Sequence, residues 1–190
     1  MTTARRGHLG APGLAGIVMA TCLLTPVMAV DLHAQVAPGA AVKAAFLYNF
    51  AKFTEWPALA PGLPIVVCIV GDDGIGAAFA ETVRGQSING HSLELGRPKD
   101  STEWPGCQVL FVAEAQIRQA TSGLTAVRTA PVLTVSDNRG FAESGGIIEL
   151  YVESGRMRFA INVDAVERSG PRLSSRLLGL AKVIRDRSSQ

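Results

Sequence analysis

Ser136 and Asp137 stand side by side in "PVLTVSDNRGFAESGGIIEL", residues 131–150. A serine and a carboxylate at the tip of a buried strand occupy the place where α/β proteins put catalytic and ligand-binding groups. The chemistry such a pair would suit is acyl transfer. That chemistry needs a base within hydrogen-bond reach of the hydroxyl, usually a histidine oriented by a third group. His91 is the histidine on offer in the body of the chain, on a glycine-flanked turn far away in sequence. Ser136 also lacks the Gly-x-Ser-x-Gly elbow that presents a nucleophile at a strand-to-helix turn. Asp137 followed by Asn138, Arg139 and Gly140 is turn chemistry, with the carboxylate accepting from backbone N–H groups. Phe141 is expected to drop back into the core, and Gly145 and Gly146 allow positive φ or close backbone approach. The pair therefore reads as building a loop, and no residue is assigned a catalytic role.

Other chemistries find less support. No His/Cys/Asp/Glu group has ligand spacing for zinc, and there is no EF-hand pattern, so neither a metal nor another cofactor is expected. Gly71, Gly74 and Gly76 in "VGDDGIGAAF" do not follow the dinucleotide spacing, and Asp72 and Asp73 would repel a phosphate at the helix start. Cys68 and Cys107 each sit beside an apolar strand, where they read either as a disulfide or as two buried thiols.

These residues have to be positioned by a regular frame. "AAVKAAFLYNFAKFTEWP" places Val42, Phe46, Phe50 and Phe53 at helical spacing after a Pro38-Gly39 linker, ending at Pro57. The aromatic stripe reads as core, and as a partner surface where it is exposed. "PIVVCIV" from Pro64 to Val70 is a β-branched run typical of a strand covered on both faces. A helix to about Arg84, a strand at Leu93–Leu95 after the Asn89-Gly90 turn, a strand from Cys107 and a helix over 114–127 follow. "PVLTVS" adds a strand, and "GIIELYVES" and "GRMRFAINV" form a hairpin at Ser154-Gly155. A short helix at Val163–Arg168 and a longer one from Leu173 to about Arg187, buried on Leu173, Leu177, Ala181 and Ile184, close the chain. Ser174 or Ser175 is expected to cap the latter. The fold class is α/β, a three-layer αβα sandwich with a largely parallel sheet and an antiparallel edge hairpin.

The chain has 190 residues, 47% of them apolar, enough for one domain with a sizeable core. Residues 1–34 differ in composition. Arg5 and Arg6 precede a nearly uncharged apolar segment with small residues near Ala29 and Ala34, the pattern of a secretory signal peptide. Gly10, Pro12, Gly13, Gly16 and Pro26 interrupt it, against a membrane anchor. The expected division is a signal peptide over 1–34 and one α/β domain over 35–190. Loss of Arg5, Arg6 and Asp31 would take 18 basic and 16 acidic residues to 16 and 15, a near-neutral protein with no call for nucleic acid. Export to an oxidising compartment favours a Cys68–Cys107 bridge. The region after Ala165 is basic, with Arg168, Arg172, Arg176, Lys182, Arg185 and Arg187 against Glu167 and Asp186. It reads as a solvated face or as a patch for an acidic partner.

Several segments taken together and in order carry a resemblance: "VKAAFLYNFAKFTEWP", "VVCIVGDDGIG", "GQSINGHSLEL", "CQVLFVAE", "PVLTVSDNRGFAESGGIIEL", "RMRFAIN" and "LSSRLLGLAK". From about Val42 to Val183 the chain resembles the YfiR family. The resemblance implies a periplasmic regulator, not an enzyme. Such a protein binds the periplasmic PAS-like domain of an inner-membrane diguanylate cyclase, YfiN, and holds it inactive, limiting cyclic-di-GMP and biofilm formation. It also implies a homodimer that touches the membrane only through its partner. Cys68 and Cys107 match family cysteines, whereas a second pair found near Gly145-Gly146 in some members is absent. Pro171 stands where the family usually has an apolar residue. Candidate partner contacts are Phe46, Phe50, Phe53, Arg176 and Arg185. The alternative reading is a periplasmic small-molecule sensor without a cyclase partner, its ligand at Asp137, Gly145 and Gly146.

Overall fold

A computed structural model describes residues 37–186 apart from Asp72. The expected leader over 1–34, its cleavage point, Cys22 and Arg187 lie outside the described residues.

A sheet forms the middle layer because its central strands, at 65–70, 109–112 and 133–136, are largely buried on both faces. Its parallel part is made of β2 (Ile65–Val70), β4 (His91–Gly96), β5 (Val109–Val112), β6 (Leu133–Ser136) and β7 (Ile148–Glu153), in the order β4-β2-β5-β6-β7. β3 (Ser87–Ile88) pairs antiparallel with β4 across the Asn89-Gly90 turn, where both residues take positive φ. β8 (Arg156–Asn162) pairs antiparallel with β7 across Ser154-Gly155, again both at positive φ. Paired positive φ is the geometry of the two-residue turn that matches strand twist, and both turns were legible as such.

Side chains alternate between the two faces. Val67, Val109, Phe111, Leu133, Val135 and Ile148 pack under α1 (Ala37–Lys52) and α2 (Asp73–Val83), against Leu47, Phe50, Ile75 and Phe79. Cys68, Leu110, Val112 and Val132 face the other way, against Trp104, Ala120 and Val127 from a 3₁₀ segment (Ser101–Gly106) and α3 (Ile117–Ala126). The three-layer α/β class with a mostly parallel sheet and an antiparallel pair is as expected.

Three local expectations change. Ala44, Leu47, Phe50 and Ala51 form the fully buried face of α1, so of the Val42–Phe46–Phe50–Phe53 stripe only Phe50 is fully buried. The helix stops at Lys52 because β1 (Thr54–Glu55) pairs with β9 (Arg172–Leu173), and the Thr54 hydroxyl donates to the Phe50 carbonyl at 2.7 Å. The long final helix is replaced by a single short one, α5 (Ser175–Leu180), capped by Ser174, whose Oγ accepts from the Leu177 N–H. Beyond it, Lys182–Ile184 form β10, parallel to β8 and outside the hairpin. Its β-branched Val183 and Ile184 suit a strand, and Asp186 fastens the segment to the body through Asn162, Arg168 and Asp164.

Candidate functional site

Parallel pairing brings the tips of β5 and β6 together at the carboxyl edge of the sheet. Ser136 lies opposite Val112, and its Oγ donates to the Val112 carbonyl at 2.7 Å while accepting from the Asn138 N–H at 3.1 Å. The residue is fully buried, so its hydroxyl is spent on the backbone. Val112 in turn lies opposite Val70, two residues past Cys68, which faces Gly96 on β4. His91 is five residues before Gly96, so the two levels differ by seven residues, about 23 Å at roughly 3.3 Å per residue. His91 Nδ1 instead meets the Leu63 carbonyl at 2.7 Å at the opposite edge. A dyad of Ser136 with His91, the one histidine among the described residues, is therefore excluded by register.

Asp137, the next residue, joins three elements. Its Oδ2 lies 2.5 Å from Lys43 Nζ on α1, and its Oδ1 accepts from the Glu114 N–H at 2.7 Å in the turn leading to α3. Both side chains of the ion pair are about four-fifths buried. The carboxylate is a brace between helix and sheet tip and not the expected cap of its own turn, where the Asn138 N–H donates to Ser136 Oγ instead. Sequence reasoning missed Lys43, although it is the lone charge in "APGAAVKAAFLYNFA", a signal that it needs a partner.

The loop after Asp137 packs by its own residues. Phe141 is buried, as expected, and a Cβ on Gly146 would lie 2.2 Å from its ring, so Gly146 is there to admit Phe141. Gly145, at φ +95°, seats Arg128, whose Nη2 donates to the Ser144 carbonyl at 2.8 Å. Asp137 is not brought to these glycines. It lines a polar groove with Glu114, Glu143 and Glu149, whereas Gly145 and Gly146 line a separate cleft of about 240 Å³ beside α3.

Asn162, at the end of β8, is a second junction. Its amide donates to the Ala142 carbonyl at 2.7 Å and to Asp186 Oδ1 at 2.6 Å, and its Oδ1 caps α4 (Val163–Ser169) by accepting from the Ala165 N–H at 3.1 Å. The Asn162 hydrogen bond holds the Asp186 carboxyl below its ordinary value, with Arg168 adding to the effect and burial opposing it.

The partner candidates separate into surface and interior. Phe50 has no exposed surface; its ring packs 5.2 Å from that of Phe159, so it belongs to the core and cannot touch a partner. Phe46 and Phe53 are half-buried and, with Val42, Leu177 and Leu180, line an apolar groove of about 380 Å³ along α1. Arg176 lies over the Phe53 ring at 5.9 Å. Arg185 is mostly exposed and pairs with Asp164 at 2.7 Å. Cys68 and Cys107 form a disulfide with Cα atoms 5.9 Å apart, buried beside Trp104. Among the described residues no group of three or more His, Cys, Asp or Glu could hold a metal, and no helix is long and apolar enough to cross a membrane.

Fold and site together define an α/β protein whose strand tips carry structural braces and whose outer face carries an apolar groove, the make-up of a binding protein. The YfiR/HmsC-like family matches residues 40–182, and the chain belongs to that family. This is a regulatory, non-catalytic family of periplasmic proteins in diguanylate cyclase signalling. No curated protein matches the chain.

Proposed function

We propose that the protein is exported to the periplasm, loses residues 1–34, and represses a YfiN-like inner-membrane diguanylate cyclase by binding its periplasmic PAS-like domain. Family membership supports the setting, and the α1 groove is the observation that carries the binding surface. Val42 and Leu180 are 41% and 68% exposed there, and aromatic anchors with a neighbouring arginine are the residue types that dominate interfaces. Repression by stoichiometric binding needs a cyclase with two states and a regulator that prefers the inactive one. A preference of a few kcal/mol silences most of the enzyme. Phe46 and Phe53 anchor the contact, Arg176 and Arg185 supply its charge, and the working form is a homodimer, checked by light scattering.

The test is affinity capture of the mature protein with inner-membrane extract, under oxidising and reducing conditions. Retention of a membrane diguanylate cyclase, lost on Phe53→Ala with Arg176→Glu, supports the reading. If no cyclase is retained under either condition, the repressor assignment is dropped.

A further inference from the structure

The cleft beside α3 is a different feature from the α1 groove and lies on the opposite face of the sheet. Its apolar wall is formed by Val127, Val132, Phe141 and Ile147, all buried. Two arginines, Arg118 and Arg128, are among its lining residues, and no carboxylate is. Arg128 is held by the Ser144 carbonyl through Nη2, which leaves the rest of the guanidinium fork for another acceptor. Gly145 is part of that seat, because a Cβ there would approach Arg128 Nη2 to 2.9 Å. Deeper in, the Thr134 hydroxyl is more than nine-tenths buried and accepts from the Ile147 N–H at 3.1 Å. Among the described residues nothing accepts its own proton. An apolar cavity of about 150 Å³ is enough for one benzene ring, so about 240 Å³ admits a ring or branched chain with one anionic substituent.

We infer that this cleft binds a small apolar carboxylate, its body on the wall of Phe141 and Val132 and its anionic group on Arg128. A prepositioned guanidinium pairs with a carboxylate through two parallel N–H donors, and few interactions at a protein surface are stronger. No acid lines the cleft, which disfavours cations and neutral amines, and the Asp186 carboxylate, which Arg128 attracts from outside the lining, is already bonded to Asn162 and Arg168. The site belongs to the chain itself and stands whether or not the cyclase reading holds.

The test is a titration of the full chain with benzoate, phenylacetate and 4-methylpentanoate, read by calorimetry and by amide chemical shifts. Benzamide serves as the neutral control. The expected result is saturable binding of at least one carboxylate and none of benzamide, with shifts at Gly145, Gly146 and Ile147. Arg128→Gln, on an exposed side chain, weakens binding about tenfold or more through loss of a charge-assisted pair. Thr121→Trp, on the exposed side of α3, obstructs the mouth and abolishes it. No saturable binding of any of the three carboxylates overturns the inference, and so does binding that maps elsewhere or that both variants leave unchanged. Cyclase capture by Thr121→Trp, measured separately, keeps this result distinct from the repressor reading.

Discussion

Lys43 and Asp137, 94 residues apart in the chain, meet at 2.5 Å and tie the first helix to the tip of the central strand. The same carboxylate accepts from the Glu114 backbone, so one side chain fixes α1, β6 and the approach to α3. The loop that begins at Asp137 then holds Phe141 in the core and reaches Asn162 through the Ala142 carbonyl. The two junctions, at Asp137 and at Ala142–Asn162, thus tie α1, the approach to α3 and α4 to one loop.

Replacement of Asp137 by alanine leaves a partly buried ammonium and a backbone N–H without their acceptor. The expected loss is about 1–3 kcal/mol of unfolding free energy, measured by urea denaturation. Lys43→Met in the Asp137→Ala background should recover part of it, since an apolar pair removes both unpaired groups.

Ser136→Ala should cost about 1–2 kcal/mol in the same measurement, because the Val112 carbonyl and the Asn138 N–H both lose their partner. No ester or amide turnover is expected from the native protein. Turnover that Ser136→Ala abolished would contradict the register argument.

The Cys68–Cys107 bridge closes a loop across a sequence separation of 39. In the chain-entropy model its removal costs roughly 4 kcal/mol. Melts of the double alanine variant should show this as a large fall in Tm. Both sulfurs lie in the core, so reductant should act on the native protein only as fast as it opens.

Stability should fall at acid pH through Asp186. Its folded pKa is depressed below the ordinary carboxylate value, chiefly by the Asn162 hydrogen bond. A depressed carboxylate contributes stability that is present above its unfolded pKa and is lost as pH falls from there through the folded pKa. Denaturation midpoints followed downward from pH 5 should begin to drop near pH 4, and Asp186→Asn should flatten that part of the profile.

Phe50 and Phe53 are three residues apart and should behave differently. Phe50→Ala removes a fully buried ring and should destabilise by about 3–5 kcal/mol. Phe53→Ala should cost less stability, while weakening binding of the cyclase's periplasmic domain. Paired denaturation and affinity measurements separate the two effects.

Much of the frame was legible because it depends on local pattern. β-branched runs covered on both faces, paired turn residues at Asn89-Gly90 and Ser154-Gly155, and the Asn138–Gly140 turn are all near-neighbour effects. The final helix was not legible, since Leu173, Leu177, Ala181 and Ile184 keep helical spacing by coincidence. Residues 182–184 pair with β8 because that edge is available in space, and Asn162 and Asp164 hold the end of the segment there. The aromatic stripe was legible as core only at Phe50, while Val42, Phe46 and Phe53 lie at its border, because the buried face of α1 is set by where the sheet lies.

By itself, then, the amino-acid sequence determined the α/β class, the order of most elements, the turn at Asn138–Gly140 and the family. Only the tertiary structure decided that Lys43 is its counterion, that Asn162 joins three segments, that His91 is remote from Ser136, and that Gly145 and Gly146 serve Arg128 and Phe141. The reason is physical: periodicity and turn chemistry act over a few residues and are written locally. Pairings across 20 to 94 residues depend on register and packing, which exist only once the sheet has formed.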